Sequence, residues 1–202
     1  MEIDRSWMIL MPDQTPYAGG LLDTGARVLA LTRRPEKTAL PPGARPCGVV
    51  EAAGAPLQPY GERSFAQAAE DARRQAQAFG AAGLPCLLLM GARTLPEARA
   101  AVLGAREAGL PVLLAMDLFG EGDTLAGGGD ILSAFVVLQE LGLAAFGFRA
   151  GVTGIALSAL ERLQPYSRIP LLSISGDMAK ALAPGDAEEL FARRAAGLAR
   201  LG

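Results

Sequence analysis

Histidine is absent from the 202 residues. Its absence removes imidazole general-base catalysis, a serine triad of the usual kind and histidine-ligated zinc. Cysteine is nearly absent: Cys47 and Cys86 are the only thiols, and each precedes or opens an apolar run, the ordinary setting of a buried small hydrophobe in a reducing compartment. Aromatic residues make up 5% of the chain, and 19 Lys and Arg against 21 Asp and Glu leave a net charge of -2. With no basic excess to release counterions and few rings on which to stack bases, no nucleic-acid partner is expected. Long hydrophobic runs are missing as well. The apolar stretches are about seven residues long, whereas a spanning helix needs roughly 20, and the start MEIDRSW has no basic segment followed by an apolar core. No membrane partner and a cytoplasmic location are the expectation.

What is present is a globular composition. Half of the residues are hydrophobic, enough for one substantial core, so a single domain over 1–202 is expected in preference to two small ones. Seven short runs rich in Val, Leu and Ile recur: WMILMPD (7–13), RVLALT (27–32), CGVVEAAG (47–54), CLLLMG (86–91), PVLLAMD (111–117), AAFGFRAG (144–151) and PLLSISGD (170–177). They do not alternate polar with apolar, so both faces should be covered, as in a parallel sheet flanked by helices. The intervening segments carry helix punctuation. Ser64 with Gln67, Thr94 with Glu97 and Asp186 with Glu189 have capping spacing, and Asp130 is the expected N-cap of a helix ending near Gly142. Phe65, Ala69, Ala72, Ala76 and Phe79 form an apolar stripe, with Gly80 as its terminator.

From residue 64 onward this is a regular βα alternation with right-handed crossovers. The first third is different: 13–27 and 32–47 leave little room for a crossover helix, and TRRPEKTALPPGARP is rich in helix breakers. The N-terminal part, 1–47, is therefore expected to be eroded. A TIM-type (β/α) barrel of eight units takes about 250 residues. Seven strand candidates with short early connections imply an incomplete or distorted α/β barrel, with a doubly wound open sheet as the alternative.

The stretch from GERSFAQAAEDARRQAQAFG through LPEARAAVLGAREAGLPVLLAM and FGEGDTLAGGGDILSAFVVLQELGLAAFGFRAGVTG to PYSRIPLLSISGD and DAEELFARRAAGLARLG resembles the homocysteine S-methyltransferase family. That family includes the homocysteine-binding barrel of cobalamin-dependent methionine synthase. The resemblance covers residues 48–202; its most specific parts are Leu95-Pro96-Glu97-Ala98, the loop Gly122-Asp123-Thr124-Leu125, and the passage from Leu141-Gly142 to Gly147. It implies a TIM-type barrel in which a zinc held by three cysteines makes a substrate thiolate available at neutral pH. Residue by residue, the first ligand position falls on Ala150 in Gly147-Phe148-Arg149-Ala150. The adjacent pair of ligand cysteines has no counterpart before Gly202, where the given sequence stops. The Glu-Thr pair that ends the family's fourth strand aligns with Met90-Gly91, and the turn after its seventh strand aligns with Ser175-Gly176-Asp177-Met178. The scaffold persists while several cooperating positions are gone, and losing one such member removes most of the rate.

Polar residues at the expected strand ends are Asp13, Glu51, Arg93, Asp117, Arg149 and Asp177. Glu51, Asp117, Arg149 and Asp177 are the ligand-binding candidates: three carboxylates that could cluster, with Arg149 as a clamp for an anion. The plainer account is that Glu51 and Asp117 cap loops or pair with Arg149 or Arg93 to satisfy buried charge. The carboxylates have no spacing that identifies a hard-cation site. GEGDTLAGGGD lacks a Walker ending and a dinucleotide fingerprint and reads as a strand-to-helix loop. Met8, Met11, Met90 and Met116 read as core filler.

Two functional readings follow. In one, the chain is a degenerate, non-catalytic member linked to methyl transfer and methionine metabolism that binds a small-molecule ligand or a partner. In the other, it is an active methyltransferase-family enzyme that moves a methyl group to a thiol, with a partner supplying thiolates or a corrinoid. No cofactor is expected in the chain itself: zinc is not retained, and a corrinoid would come only through a partner. Open sheet edges tend to pair, so a homodimer or a complex with a methyltransferase or corrinoid protein is expected.

Overall fold

A computed structural model describes residues 7–10, 27–33, 43–52, 54–119, 124–150 and 156–175. All seven apolar runs contain strands: β1 (Trp7–Leu10), β2 (Arg27–Thr32), β3 (Arg45–Glu51), β4 (Leu87–Ala92), β5 (Val112–Asp117), β6 (Ala145–Ala150) and β7 (Leu171–Ser175). They form one sheet in the order β1-β2-β3-β4-β5-β6-β7, and every pair is parallel. Sequential order decides between the two expected architectures. A doubly wound sheet reverses its direction of growth at a switch point; a barrel wall adds each strand beside the last. Helices α1 (Phe65–Ala81), α2 (Leu95–Arg106), α3 (Ile131–Gln139) and α4 (Ala156–Leu163) follow β3, β4, β5 and β6 in turn. The connections flanking β2 and the segment from 176 to 202, including Asp186 and Glu189, lie outside the described residues.

Successive strand residues face opposite ways, and here each direction meets its own core. Val50, Leu87, Leu89, Val112, Leu114, Met116, Phe146 and Phe148 pack with Ala72, Ala76, Ala101 and Phe135 of the helices. Leu31, Cys47, Val49, Leu88, Met90, Leu113 and Ala115 build a second cluster on the other face. Burial on both faces is why the runs do not alternate in polarity. The rings of Phe135, Phe146 and Phe148 contact in series, with centroids 5.0 and 5.4 Å apart, in tilted and edge-on geometries that aromatic quadrupoles favour. Met90 and Met116 are buried; Met11 lies outside the described residues.

The helix starts form as their sequences dictate. The Gln67 N–H donates to Ser64 Oγ at 3.1 Å while the Ser64 N–H donates to Gln67 Oε1 at 2.8 Å. Thr94 and Glu97 close the same reciprocal box, and Ser133 N–H donates to Asp130 Oδ1 at 2.8 Å. Each such cap is worth about 1 kcal/mol. The α1 stripe needs two corrections. Its buried residues are Ala68, Ala72, Ala76 and Phe79, while Phe65 is exposed at the first turn. The helix also runs past Gly80 to Ala81, and Gly83, at φ 75°, takes the left-handed position beyond its end. The α1–α2 contact is close because Gly104 has no side chain: a Cβ there would fall 1.9 Å from the Ala69 carbonyl oxygen.

A second glycine shapes the end of β4. Gly91, at φ 84°, sits where the β4–β5 register shifts between Met90 and Ala92, a bulge that a side chain would strain. It turns Ala92 toward the helix-side cluster although Met90 belongs to the other. Among the described residues, no helix is long and apolar enough to cross a membrane.

Candidate functional site at the strand ends

Parallel strands bring their C-terminal ends to one rim, where barrels place functional groups. Asp117 ends β5, and register pairs it with Arg149 on β6. Arg149 Nη2 donates to Asp117 Oδ2 at 2.7 Å. The pair is partly buried, with Asp117 17% and Arg149 39% exposed. The other carboxylate oxygen, Oδ1, is buried and has no hydrogen-bond partner among the described residues, an arrangement that calls for a donor from elsewhere. The Asp117 carbonyl also accepts from Ala126 N–H at 2.8 Å. That bond brings Ala126 back against the end of β5, and Phe119 just beyond the strand stands 70% exposed.

Glu51 is placed differently. It ends β3, one full strand removed from β5, so roughly 10 Å separates the two backbones. Its Oε1 meets Arg33 Nη2 at 3.1 Å and makes no hydrogen bond. Gln75 of α1 holds its backbone, accepting from Glu51 N–H at 3.1 Å and donating to its carbonyl at 3.4 Å. Arg93 serves the β4–α2 turn. Its N–H donates to Glu97 Oε2 at 2.8 Å, and its guanidinium lies 3.5 Å from Glu97 Oε1 and 3.4 Å from the Gly54 carbonyl. Glu97, 5% exposed, is thus both capping residue and counterion.

The described residues therefore bring Asp117 and Arg149 together and leave Glu51 apart with Arg33. Asp13 and Asp177 lie outside the described residues. No group of three or more Cys, His, Asp or Glu able to hold a metal occurs among the described residues. Arg33 escaped the sequence reading although its signal was there, since it directly follows RVLALT. The Asp71–Arg74 pair had the i,i+3 helical spacing that marks it in sequence, whereas Arg63 gave no signal, because its place beside Asp71 depends on how the β3–α1 loop folds back.

The thiols gather at the other end of the sheet. Cys47 lies in the first half of β3 and Cys86 immediately precedes β4; the Gly48–Leu87 register makes them neighbours, and both are fully buried. A hydrogen bond with Cys86, burial and the Cys86 charge together push the Cys47 thiol well above its usual value. Four residues separate Cys47 from Glu51 at the rim, a rise of roughly 13 Å. Ala150 closes β6 where the resemblance would require a thiolate. Two buried sulfurs far from the rim do not fit a zinc held by three thiolates.

In sequence, no family model and no curated protein matches the chain. In structure it is similar to the apo form of the homocysteine methyltransferase MmuM from Escherichia coli, with a TM-score of 0.62 at 14% identity over 97% of this chain and 95% of that one. The fold is an incomplete α/β barrel. A 3-hexulose-6-phosphate synthase from Salmonella typhimurium aligns at a TM-score of 0.49 and 12% identity over 97% of this chain and 99% of that one. The methyltransferase resemblance read from residues 48–202 and the structural similarity point to the same architecture.

Proposed function

We propose that this barrel is a homocysteine-methyltransferase-like protein that binds a small molecule at its strand ends without zinc-thiolate methyl transfer, in a role linked to methionine metabolism. The Asp117–Arg149 pair carries the reading. It occupies the rim beside Ala150, and among the described residues the buried Asp117 Oδ1 lacks a donor. A ligand offering an ammonium, amide or hydroxyl would satisfy that oxygen, while the partly exposed Arg149 fork can receive an acceptor. No methyl-transfer step is derived, because the chain's two cysteines neither number nor sit as such chemistry needs. A second copy of the chain, or a methyltransferase or corrinoid protein, would cover sheet edges, and light scattering at micromolar concentration should show a species larger than one chain.

The decisive experiment joins metal analysis to an assay on purified protein. Less than stoichiometric zinc and no methylation of homocysteine are expected, with L-homocysteine or L-methionine raising the Tm of the native protein more than that of Asp117→Asn. Zinc-dependent methylation of homocysteine by the chain alone, or equal Tm shifts in both proteins, would overturn the proposal.

A further inference from the structure

A groove of about 740 Å³ opens beside the C-terminal end of β3, lined in part by Glu51, Gly54, Arg63, Asp71, Arg74 and Gln75. It exists because β2 pairs with β3 only as far as Thr32 and Gly48, while β3 continues to Glu51. Among the described residues the last β3 residues have no strand neighbour on that side, and Gln75 bonds the backbone of Glu51. The loop after β3 folds back on itself, with Gln58 N–H donating to the Arg63 carbonyl at 2.9 Å, and this sets Arg63 against α1.

Asp71 then holds two guanidiniums at once. Arg63 Nη2 donates to its Oδ2 at 2.8 Å, and Arg74 Nη2 donates to its Oδ1. Those bonds keep the Asp71 carboxyl below its usual range, Arg74 first and Arg63 second, so it stays ionised near neutrality. Each guanidinium has five N–H donors, and Asp71 engages one from each. Arg63 is only 15% exposed, so its charge is fixed in place rather than waving in solvent. The lining sets two guanidiniums, Arg63 and Arg74, against two carboxylates, Glu51 and Asp71, and Arg33, ion-paired to Glu51 from outside the lining, adds one positive charge.

The geometry points to an oxyanion site in this groove, in which Arg63 and Arg74 bind the phosphate of a phosphorylated small molecule. A carboxylate is satisfied by one guanidinium fork, whereas two forks held on either side of Asp71 offer donors from two directions, as a tetrahedral phosphate accepts them. Glu51 Oε1 at the groove's edge, ion-paired to Arg33 but without a hydrogen bond among the described residues, is an acceptor for a hydroxyl on the same molecule. Gly54 belongs to the design: a Cβ there would come within 2.5 Å of Arg63 Nη1, at the tip of a side chain that can yield. Its φ is not positive, so Gly54→Ala should fold and displace the guanidinium. This site is separate from the Asp117–Arg149 pair and stands or falls without it.

Calorimetric titration with inorganic phosphate and with pyrophosphate, at ionic strength held constant with chloride, tests the site. The native protein should show saturable binding. Arg74→Gln, at a side chain 67% exposed, should fold normally and bind about tenfold more weakly, the loss expected for a hydrogen bond to a charged group. Gly54→Ala should weaken binding with no change in charge. Unchanged affinity in both variants, or no binding of either anion beyond that of chloride, would overturn the site.

Discussion

The two ends of the sheet contrast in the chemistry they carry. At the entry ends of β3 and β4, Cys47 and Cys86, both fully buried, lie side by side in an apolar cluster. At the exit ends, Asp117, Arg149, Glu51 and Arg33 form partly exposed ion pairs and leave two carboxylate oxygens without hydrogen bonds. The same strands thus run from a buried, apolar floor to a charged rim. A floor of this kind gains by burying apolar area. The rim gives up some of that gain by burying charge, whose desolvation its own ion pairs only partly offset. Polar groups retained at such a cost are where binding should be sought.

Introducing a charge into the floor is the most severe way to break this contrast. Cys86→Asp buries a carboxylate with no partner and should cost at least about 3 kcal/mol, the scale of an uncompensated buried charge; urea unfolding that shows a smaller loss would mean the floor admits water. At the rim, Arg149→Ala should cost about 1–3 kcal/mol by stranding Asp117 in a partly buried position. Denaturant midpoints of Arg149→Ala and Asp117→Asn,Arg149→Ala should show the double variant recovering part of that loss, since a neutral amide is cheaper to bury than an unpaired carboxylate.

Smaller effects sharpen the comparison through pH. Asp130→Ala should cost about 1 kcal/mol, the usual worth of an N-cap. The Ser133 backbone N–H, with help from the Ser133 hydroxyl and Arg162, holds the Asp130 carboxyl below its usual range. A depressed carboxyl contributes stability above its unfolded pKa and loses it as pH falls through the folded value, so thermal melts of native and Asp130→Ala protein should converge in acid. The floor responds in the opposite direction. Because the Cys47 thiol is raised in the folded state, its contribution is complete below the unfolded pKa of about 8.5 and declines as pH rises above it. At pH 9 this should be the smallest of the effects, visible as a fall in Tm that Cys47→Ala reduces.

Much of the fold was legible because its signals are local. Unbroken apolar runs mark strands buried on both faces, and the Ser64–Gln67, Thr94–Glu97 and Asp130 starts depend only on residues three apart. The misjudged end of α1 shows the limit: Gly80 is a good terminator in isolation, but the helix continues until Gly83 supplies the left-handed turn. The site was half legible. Asp117 and Arg149 could be named as strand-end residues, but 32 positions separate them, and only the register of β5 on β6 sets one against the other. The pairing of Glu51 with Arg33, rather than with Arg93 or Arg149, likewise follows from strand neighbourhood.

By itself, the sequence determined the strand runs, the helix caps and the shortage of thiols and imidazoles, because each is a property of residue identity or of spacing within one turn or one pleat. Tertiary structure decided the sequential strand order, the separation of a thiol floor from a charged rim, and the arrival of Arg63 at the Asp71–Arg74 pair of α1. Those depend on which distant segments lie side by side, and parallel pairing sets that by packing both faces of the sheet at once, not by any short-range preference.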